Sequence, residues 1–514
     1  MNRTKVRMGG YKLSLIYIIC IAGVLLSAVF RYRSGEIDYL NSDATWHTLL
    51  TIEAYNETPI SQHLFLPIVS LGEAEDKGIP WGATIPDTEG NFYYTSFSPM
   101  GYFLPWLFIK IFHLNVSERG LYIFNNLLFA ISAGLFIWLL TIVYKGNKNG
   151  GFLCLFGGLL YSMLPELLHG MGIVYWHQSV LQVTLLLQII AYYQYAVLGR
   201  EKYRWLFYAL AIFNSYTEWT GYVANIGFAL SEVILNWKRD FKKGFGRACI
   251  LVLLTIAAFS IYAFHYLLRT DTTTYFLALK NRFMARNVTT DIAIVEVFKG
   301  YLDSFLYLWL LILVLAVWSF IKDKKIEVTS GILCLVLAFP AVENIIMKQH
   351  AVEYTYDRMK VAWIVVFIAC ELIRNLLDLD SSKRVRLVLT VLVCITSILN
   401  FMSYTDNPKY IWEVNYRENN QLMADYVNEK YPDALYASNS AIRGYMNLLF
   451  DRGIYEGCDV NAADTIAVSK EKDVIVYLQP NGYDLQGITV YSTDLVHCAY
   501  YTVENGEVIE NIIQ

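Results

Sequence analysis

Charged side chains are scarce in this chain, and so are the motifs of several common protein classes. Asp, Glu, Lys and Arg make up 17% of the 514 residues, while hydrophobic residues make up 56%. A chain this apolar is not an ordinary soluble globular protein. The sequence also has no internal repeat, no low-complexity tract and no Gly-rich phosphate loop in its polar C-terminal region. These absences argue against a solenoid and against a nucleotide-binding domain there.

Cysteine is also scarce, and its spacing does not suit a metal site. The chain has eight cysteines, with no CxxC motif and no Cys/His ligand spacing. Six of them fall in predicted helices, where cysteine acts as a small apolar packing residue. We therefore expect no structural zinc site. The other two, Cys458 and Cys498, could pair with each other in an oxidising compartment.

Long hydrophobic runs are what the chain has instead. A membrane-spanning helix needs roughly 20 apolar residues, and about eleven runs between Tyr11 and Tyr404 meet or approach that length. The sequence therefore predicts a mostly α, polytopic membrane protein, with the first run retained as a span rather than cleaved as a signal peptide. The predicted spans are 11–30, 119–144, 151–166, 176–198, 204–219, 221–237, 247–268, 300–321, 327–347, 359–376 and 386–404.

The distribution of charge predicts the orientation of these spans. Basic residues cluster before the first span and after the second, fourth and sixth, which is the positive-inside pattern. The N-terminus is then cytoplasmic, and the first loop and the C-terminus are extracytoplasmic. Residues 31–98 carry ten acidic and three basic side chains, as suits an outer loop. We predict a multi-pass transmembrane catalytic domain, 1–404, with this large first outer loop, in the plasma membrane if the host is bacterial.

The composition changes near Asp406, where the apolar runs stop. QLMADYVNEKY and SNSAIRGYMNLLF are typical of helices, and ALYAS, DVIVYLQ and GITVYST are typical of strands. Their alternation predicts a small extracytoplasmic α/β domain over residues 405–514. We expect this domain to be a passive or acceptor-guiding appendage.

The first outer loop contains the most distinctive motif, SDATWH. It places Asp43 and His47 four residues apart, on one face of a short predicted helix. A carboxylate just above the bilayer can take the proton from an acceptor hydroxyl and so act as a general base. The alternative is that Asp43 only stabilises the start of its helix through the helix dipole.

The order of these motifs resembles the GT-C membrane glycosyltransferases, especially the protein O-mannosyltransferase and aminoarabinose transferase branch. In that family an early Asp, here Asp43, follows the first span. A Pro- and Tyr-containing segment, here SPMGYF with Tyr102, leads to an Arg-bearing span, here at Arg119. Two positions depart from the family pattern. Ala44 stands where a second acid is common, and Ser98 where a basic residue or Pro is common.

The resemblance implies transfer of a sugar from a polyprenyl-phosphate donor to an extracytoplasmic glycan, lipid or protein acceptor, with inversion. Asp43 is then the general base. Because Ala44 removes a paired acid, we expect no cofactor and do not favour a divalent metal. Arg and Lys can neutralise the carrier phosphate instead. The other expected partner is the lipid bilayer, and we expect no nucleic acid.

Two outer loops supply candidate phosphate-binding cations. YFLALKNRFMARN is basic and amphipathic, as suits a lipid phosphate and its isoprene tail, although such cations also anchor helices at the interface. A second set lies at the outer mouths of the ninth and tenth predicted spans. The candidates are Lys280, Arg282, Arg286, Lys348, His350 and Arg358.

Further candidates could contact the sugar or the acceptor. Tyr94 and Tyr102 belong to the aromatic segment that ends the first loop, although aromatic belts are ordinary at a membrane interface. His47 could orient Asp43 or a sugar hydroxyl. Glu166 lies at an outer helix end, and ionisable groups at membrane depth usually face a protein interior or a cavity. Similar positions are held by His169, His177, Glu218, Glu343 and Asn344.

Three other functions remain as alternatives, one of which is a pure scaffold or receptor. A transporter or flippase of lipid-linked glycans needs charges or broken helices near the bilayer midplane, often with inverted repeats. This sequence shows no repeat, and its ionisable residues lie at span ends. A glycan polymerase or ligase typically has its large outer loop late in the chain, whereas here the large loop comes first.

Overall fold

The computed structural model describes residues 7–8, 11–36, 39–40, 43–72, 83–288, 290–322, 327–406, 413–414, 417–439, 443–481, 484–492 and 498–513. The chain forms two compact units, and each unit combines three separate stretches of sequence. Unit 1 comprises Met1–Glu36, Tyr122–Ala263 and Phe283–Tyr410, and unit 2 comprises Ile37–Leu121, Phe264–Arg282 and Ile411–Gln514. The predicted domain boundary between residues 404 and 405 stays a prediction.

Helices dominate the described chain, and short strands lie mainly in its C-terminal part. The helices are α1 (Leu13–Arg33), α2 (Asp43–Glu57), α3 (Ile60–His63), α4 (Met100–Ile111), α5 (Glu118–Val143), α6 (Gly150–Ser162), α7 (Pro165–Leu168), α8 (His177–Tyr192), α9 (Arg204–Thr217), α10 (Trp219–Asn236), α11 (Phe241–Leu267), α12 (Thr272–Phe283), α13 (Ile294–Ser304), α14 (Leu306–Ile321), α15 (Gly331–Ala338), α16 (Val342–Ile346), α17 (Lys348–Glu353), α18 (Ala362–Leu379), α19 (Lys383–Thr405), α20 (Arg417–Lys430), α21 (Arg443–Phe450) and α22 (Val460–Ser469). The strands are β1 (Arg7–Met8), β2 (Tyr11–Lys12), β3 (Tyr39–Leu40), β4 (Thr84–Pro86), β5 (Phe92–Tyr94), β6 (Glu413–Val414), β7 (Leu435–Ser438), β8 (Tyr455–Glu456), β9 (Val474–Leu478), β10 (Ile488–Ser492), β11 (Cys498–Glu504) and β12 (Glu507–Ile513).

Unit 1 is a bundle of apolar helices around one hydrophobic core. Helix α8 packs against α9, α14 against α18, and α6 against both α1 and α18. A buried polar group also ties this bundle together. The Arg31 guanidinium donates to Glu36 Oε1 at 2.6 Å and to Asn126 Oδ1 at 3.1 Å, while the Tyr122 hydroxyl donates to Glu36 Oε2 at 2.7 Å. Because its charge has a partner in Glu36, Arg31 can be buried near the end of α1.

The structure shows a multi-pass membrane protein. Within the described residues, five helices are long and apolar enough to cross a bilayer, namely α1, α5, His177–Val197, α11 and α19. Two further pairs meet the same test but are bent, by 60° between Gly150–Ser162 and Pro165–Ile173 and by 81° between α13 and α14. The described residues thus contain five to seven membrane-capable elements. Helices also occupy the other predicted spans, but they are shorter or less apolar, so the count of eleven stays a prediction.

Unit 2 combines the first loop with a C-terminal sheet. The sheet has six strands in the order β12-β11-β10-β9-β7-β8, with β7 parallel to β8 and β9 and the other pairs antiparallel. Helix α22 covers one face, where Ala463 and Ala467 pack with Ile475 and Tyr477 of β9. The helices and strands expected from QLMADYVNEKY, ALYAS, DVIVYLQ and GITVYST are confirmed as α20, β7, β9 and β10.

A tight turn after α3 is built around a buried histidine. Leu64 and Phe65 both have left-handed backbones, with φ of 50° and 60°. The Phe65 N–H donates to His63 Nδ1 at 2.8 Å, and the Tyr55 hydroxyl donates to the Phe65 carbonyl at 2.6 Å. His265 Nε2 donates to the Leu64 carbonyl at 2.8 Å. These hydrogen bonds offset the cost of two consecutive left-handed side-chain-bearing residues.

This turn makes the protein sensitive to acid. Burial, with a smaller contribution from the Arg269 charge, lowers the pKa of His63 from 6.5 to about 4. Between those values the unfolded chain binds a proton that the folded chain does not. Stability therefore falls as pH drops through this window, by up to about 1.4 kcal/mol per pH unit. We expect His63→Gln to flatten the dependence of the unfolding midpoint on pH between 7.5 and 5.0. The exposed His113→Gln should keep the wild-type slope, and an unchanged slope in His63→Gln would contradict the assignment.

Candidate active site

Helix α2 in unit 2 carries the predicted general base. Asp43 is its first residue, and His47 follows one turn later. The Asp43 side chain lies outside the described residues, so the structure defines its place in the helix and not its contacts. From Ala44 to Ile52 every side chain of α2 is buried. Because this part of α2 is packed on all sides, its neighbours fix the position of the helix start.

Three predicted residues of the first loop come together around His47. The His47 ring is 4% exposed and meets the Tyr94 ring edge-on, with centroids 4.4 Å apart. The Tyr102 ring lies 5.6 Å from it on α4. Strand β5 and helix α4 supply these tyrosines, which are both buried. Three candidates that the sequence indicated separately thus lie together within unit 2.

A fourth predicted residue, Arg282, joins this group through Tyr94. Its Nε donates to Ser96 Oγ at 3.0 Å and its Nη2 to the Tyr94 hydroxyl at 3.4 Å. The Tyr266 hydroxyl donates to the Tyr94 and Phe97 carbonyls, at 2.6 and 3.0 Å, which holds the backbone of this segment. A half-buried guanidinium bonded only to neutral oxygens among the described residues retains its positive charge for an anion.

Unit 1 contains a second group, centred on the turn Thr355–Val361. Arg358 is buried, with Nη2 3.6 Å from Glu166 Oε1, and its Nη1 donates to the Ala351 carbonyl at 2.9 Å. Glu166 belongs to α7, immediately after the break at Pro165. Gly300 approaches the other side of Arg358, because a Cβ there would lie 2.8 Å from Nη1. The two predicted residues Glu166 and Arg358 are thus an ion pair enclosed by protein.

Lys360, two residues further along, joins several buried groups. Its Nζ contacts Glu343 Oε2, lies 3.2 Å from Asp357 Oδ1, and donates to Thr220 Oγ1 at 3.1 Å. Gln178 Nε2 also donates to Asp357 Oδ1, at 3.0 Å. The Lys360 ammonium group therefore contacts two carboxylates, Glu343 from α16 and Asp357 from the Thr355–Val361 turn.

Four predicted residues remain, and two of them, Lys348 and His350, belong to α17, which packs on the Thr355–Val361 turn. In unit 1, Lys348 Nζ donates to the Ile292 carbonyl at 2.8 Å, and the buried His350 ring faces Tyr354 at 5.3 Å. Arg286 is 8% exposed, and among the described side chains no carboxylate pairs with it. In unit 2, Lys280 is exposed on α12.

Sequence reasoning missed Lys360, Asp357 and Gln178 and interpreted only Arg358 of this turn. A usable signal was present, because the turn places Asp357, Arg358 and Lys360 within four positions directly before the apolar helix α18. Charges so close to a membrane-capable helix usually pair with one another inside the protein. Within the described ranges, no three His, Cys, Asp or Glu side chains form a group that could hold a metal ion.

Comparison with solved structures defines the class of fold as that of the GT-C membrane glycosyltransferases. ArnT from Cupriavidus metallidurans, bound to undecaprenyl phosphate, aligns over 96% of this chain and 97% of its own, with a TM-score of 0.59 and 10% identity. The apo oligosaccharyltransferase of Archaeoglobus fulgidus aligns over 91% of this chain and 69% of its own, with a TM-score of 0.56 and 12% identity. The fold implied by the resemblance is confirmed.

A third alignment is with the same archaeal enzyme, AglB, in complex with an inhibitory peptide and a dolichol-phosphate. It covers 89% of this chain and 69% of that chain, with a TM-score of 0.52 and 12% identity. No protein-family model matches the sequence, and no curated protein matches it either. The shared feature is therefore the three-dimensional fold, at a level of identity where sequence alone carries little signal.

The Lys360 network predicts a large loss of stability when its cation is removed. In Lys360→Met, Glu343 and Asp357 stay buried without a counter-charge, which costs about 3–5 kcal/mol. SDS-induced unfolding of purified protein measures the loss. The exposed Lys383→Met, which removes a lysine from the start of α19, should unfold like wild type. Adding Glu343→Gln to Lys360→Met should recover part of the loss, and equal stability of Lys360→Met and wild type would disprove the network's role.

Proposed function

We propose that this chain is an integral-membrane glycosyltransferase that moves a sugar from a polyprenyl-phosphate donor to an extracytoplasmic acceptor. The likeness to ArnT over almost the whole length of both chains carries the proposal, since that protein was solved with undecaprenyl phosphate. The archaeal oligosaccharyltransferase was solved with a dolichol-phosphate and, separately, with a tethered acceptor peptide. Both lipids are polyprenyl phosphates, which supports the donor class. The acceptor is a glycan, a lipid or a protein.

Asp43 is the proposed general base. Its carboxylate takes the proton of the acceptor hydroxyl while that oxygen forms a bond to the anomeric carbon of the sugar. The bond from that carbon to the phosphate oxygen breaks at the same time, and polyprenyl phosphate leaves as an anion. Attack opposite to the leaving group inverts the anomeric carbon. A positioned base of this kind typically contributes about 10²–10⁴-fold to the rate.

The leaving phosphate is met by cationic side chains. Arg286 supports this role because it is buried with no carboxylate partner among the described side chains, which is costly unless an anion or water reaches it. Arg282 bonds only neutral oxygens among the described side chains, so its charge also remains available. Arg358, Lys280, Lys348 and His350 are the other proposed contacts. With these cations we propose a metal-independent reaction that uses no cofactor.

The sugar and the acceptor are assigned to the aromatic and acidic candidates. Tyr94 and Tyr102 lie beside His47, and we assign them to the sugar because aromatic rings suit the apolar side of a pyranose. His47 can orient a sugar hydroxyl, because the imidazole has both a donor and an acceptor when neutral. Glu166 is the proposed acceptor-orienting carboxylate, held in place by Arg358.

The finer topology belongs to the same proposal. We propose eleven spans in all, a cytoplasmic N-terminus, and an extracytoplasmic α/β domain over residues 405–514, in the plasma membrane if the host is bacterial. The sheet-rich C-terminal part of unit 2 supports the presence of such a domain. The positive-inside distribution of Lys and Arg supports its side.

An impermeant thiol reagent tests this orientation. Cys498 in β11 is partly exposed, whereas Cys458 is buried, and the described structure has both as free thiols. In intact cells the reagent should therefore label the protein at Cys498, and Cys498→Ser should remove that labelling. Exposed Cys249 and Cys394 lie on the apolar helices α11 and α19, where a polar reagent has little access. Labelling of Cys498 only after permeabilisation would overturn the orientation.

The base assignment is tested with Asp43→Asn. Purified protein is first assayed with synthetic undecaprenyl-phosphate monosaccharides, and release of undecaprenyl phosphate is followed by mass spectrometry. For the donor that turns over, Asp43→Asn should lower kcat about 10²–10⁴-fold with little change in KM. Asn has nearly the same shape and removes only the proton-accepting charge. Wild-type turnover in a folded Asp43→Asn protein would reject Asp43 as the base.

Substituting the cationic residues should change KM and not mainly kcat, so these variants serve as the comparison for Asp43→Asn. Arg282→Ala, Arg286→Ala and Arg358→Ala should raise KM for the donor, since each charge-assisted contact is worth roughly 1.5–3 kcal/mol. The matching Lys variants should recover the loss only in part, because bidentate geometry is lost. Unchanged donor KM in all three Ala variants would remove these residues from the phosphate site.

A further inference from the structure

Helix α21, close to the C-terminus, packs directly on α2 at the turn that follows Asp43. Gly444 is the second residue of α21. A Cβ at this position would lie 3.1 Å from the His47 nitrogen and 3.3 Å from the Trp46 carbonyl carbon. The two helix backbones therefore meet with no side chain between them, which only glycine allows without displacement.

The next residue of α21 continues this contact with an aromatic pair. The Tyr445 ring meets the Trp46 ring edge-on, with centroids 4.7 Å apart, and both side chains are buried. Asn420 Nδ2 in α20 donates to the Tyr445 hydroxyl, and Asn420 Oδ1 accepts from the Leu485 N–H at 2.9 Å. The ring that touches α2 is thus held by two other elements of the C-terminal part.

A second attachment lies on the other side of Asp43. Strand β3 pairs with β6 in antiparallel register, with Tyr39 opposite Val414 and Leu40 opposite Glu413. The first loop is therefore tied to the C-terminal part three residues before Asp43 and again three residues after it. All these contacts lie within unit 2.

We propose that the C-terminal part of unit 2, through β6, α20 and α21, positions the start of α2, with Gly444 and Tyr445 as positioning residues for the Asp43 base. The structural claim stands on the contacts alone, and its catalytic consequence rests on the proposed function. The C-terminal part then supports the reacting helix instead of being a passive or acceptor-guiding appendage. An added side chain at Gly444 shifts α2 at His47 and with it the helix start.

Substitutions at Gly444 test the claim with two readouts on the full-length protein. With the undecaprenyl-phosphate monosaccharide that turns over, Gly444→Ala should lower kcat several-fold and Gly444→Val about 10²-fold, since a misplacement near 1 Å costs that much. The donor KM should stay within about two-fold, because a positioning residue does not bind the donor. Backbone amides of residues 44–50 should exchange with deuterium at least about ten-fold faster in Gly444→Val, because α2 loses packing.

The matched control is Gly246→Val, a helical glycine whose added Cβ would meet nothing within 4 Å. It should keep wild-type kcat and exchange. Wild-type kcat and exchange in a folded Gly444→Val protein would overturn the proposal. If the wild type transfers sugar from none of the donors, the proposed function fails, while the exchange rates still decide whether α21 positions α2.

If Gly444→Val does not fold, substitutions at Tyr445 test the same proposal. Tyr445→Leu removes the ring that meets Trp46, whereas Tyr445→Phe keeps the ring and removes only the hydroxyl. We expect Tyr445→Leu to lower kcat and speed exchange over residues 44–50, and Tyr445→Phe to restore most of both. Equal values for Tyr445→Leu and wild type would overturn the proposal.

Discussion

The buried ammonium group of Lys360 is the interaction on which the polar core of unit 1 depends. It meets Glu343 from α16 and Asp357 from its own turn, and it donates to Thr220 of α10. Removing an ion from water costs several kcal/mol, so these groups can be buried only together. The same seven-residue turn carries Arg358, which faces Glu166. Two cations of this short turn thus pair with carboxylates from two other helices, α16 and α7.

The sequence predicted the helix that carries His47, but not the rings that pack against His47. The four-residue spacing of Asp43 and His47 suits a helix, and α2 begins at Asp43. Tyr94 and Tyr102 belong to the aromatic segment that the family resemblance singled out, and both rings face His47. The two ring contacts join residues 47 and 55 positions apart in the sequence, so no short motif contains them.

The parts that could not be predicted depend on tertiary contacts or on backbone bends. The break before α7 had a signal, because Pro165 forces Leu164 out of the helical region, where its ψ is 132°. The 81° bend at Phe305 has neither Pro nor Gly beside it, so hydropathy shows one continuous run. Lys360 was missed because its partners Glu343 and Thr220 lie 17 and 140 residues away in the sequence. The count of eleven spans rests on such continuous runs.

The contact between Gly444 and His47 joins opposite ends of the polypeptide. A ribosome makes the chain from its N-terminus, so α2 is synthesised about 400 residues before the helix that packs on it. Contacts of such long sequence separation form late, because the intervening chain must first be ordered. A nascent chain that stops short of residue 444 therefore contains Asp43 and His47 without the surface that packs against their helix. On this account the packing around the reacting helix is completed only after residue 444 has been made.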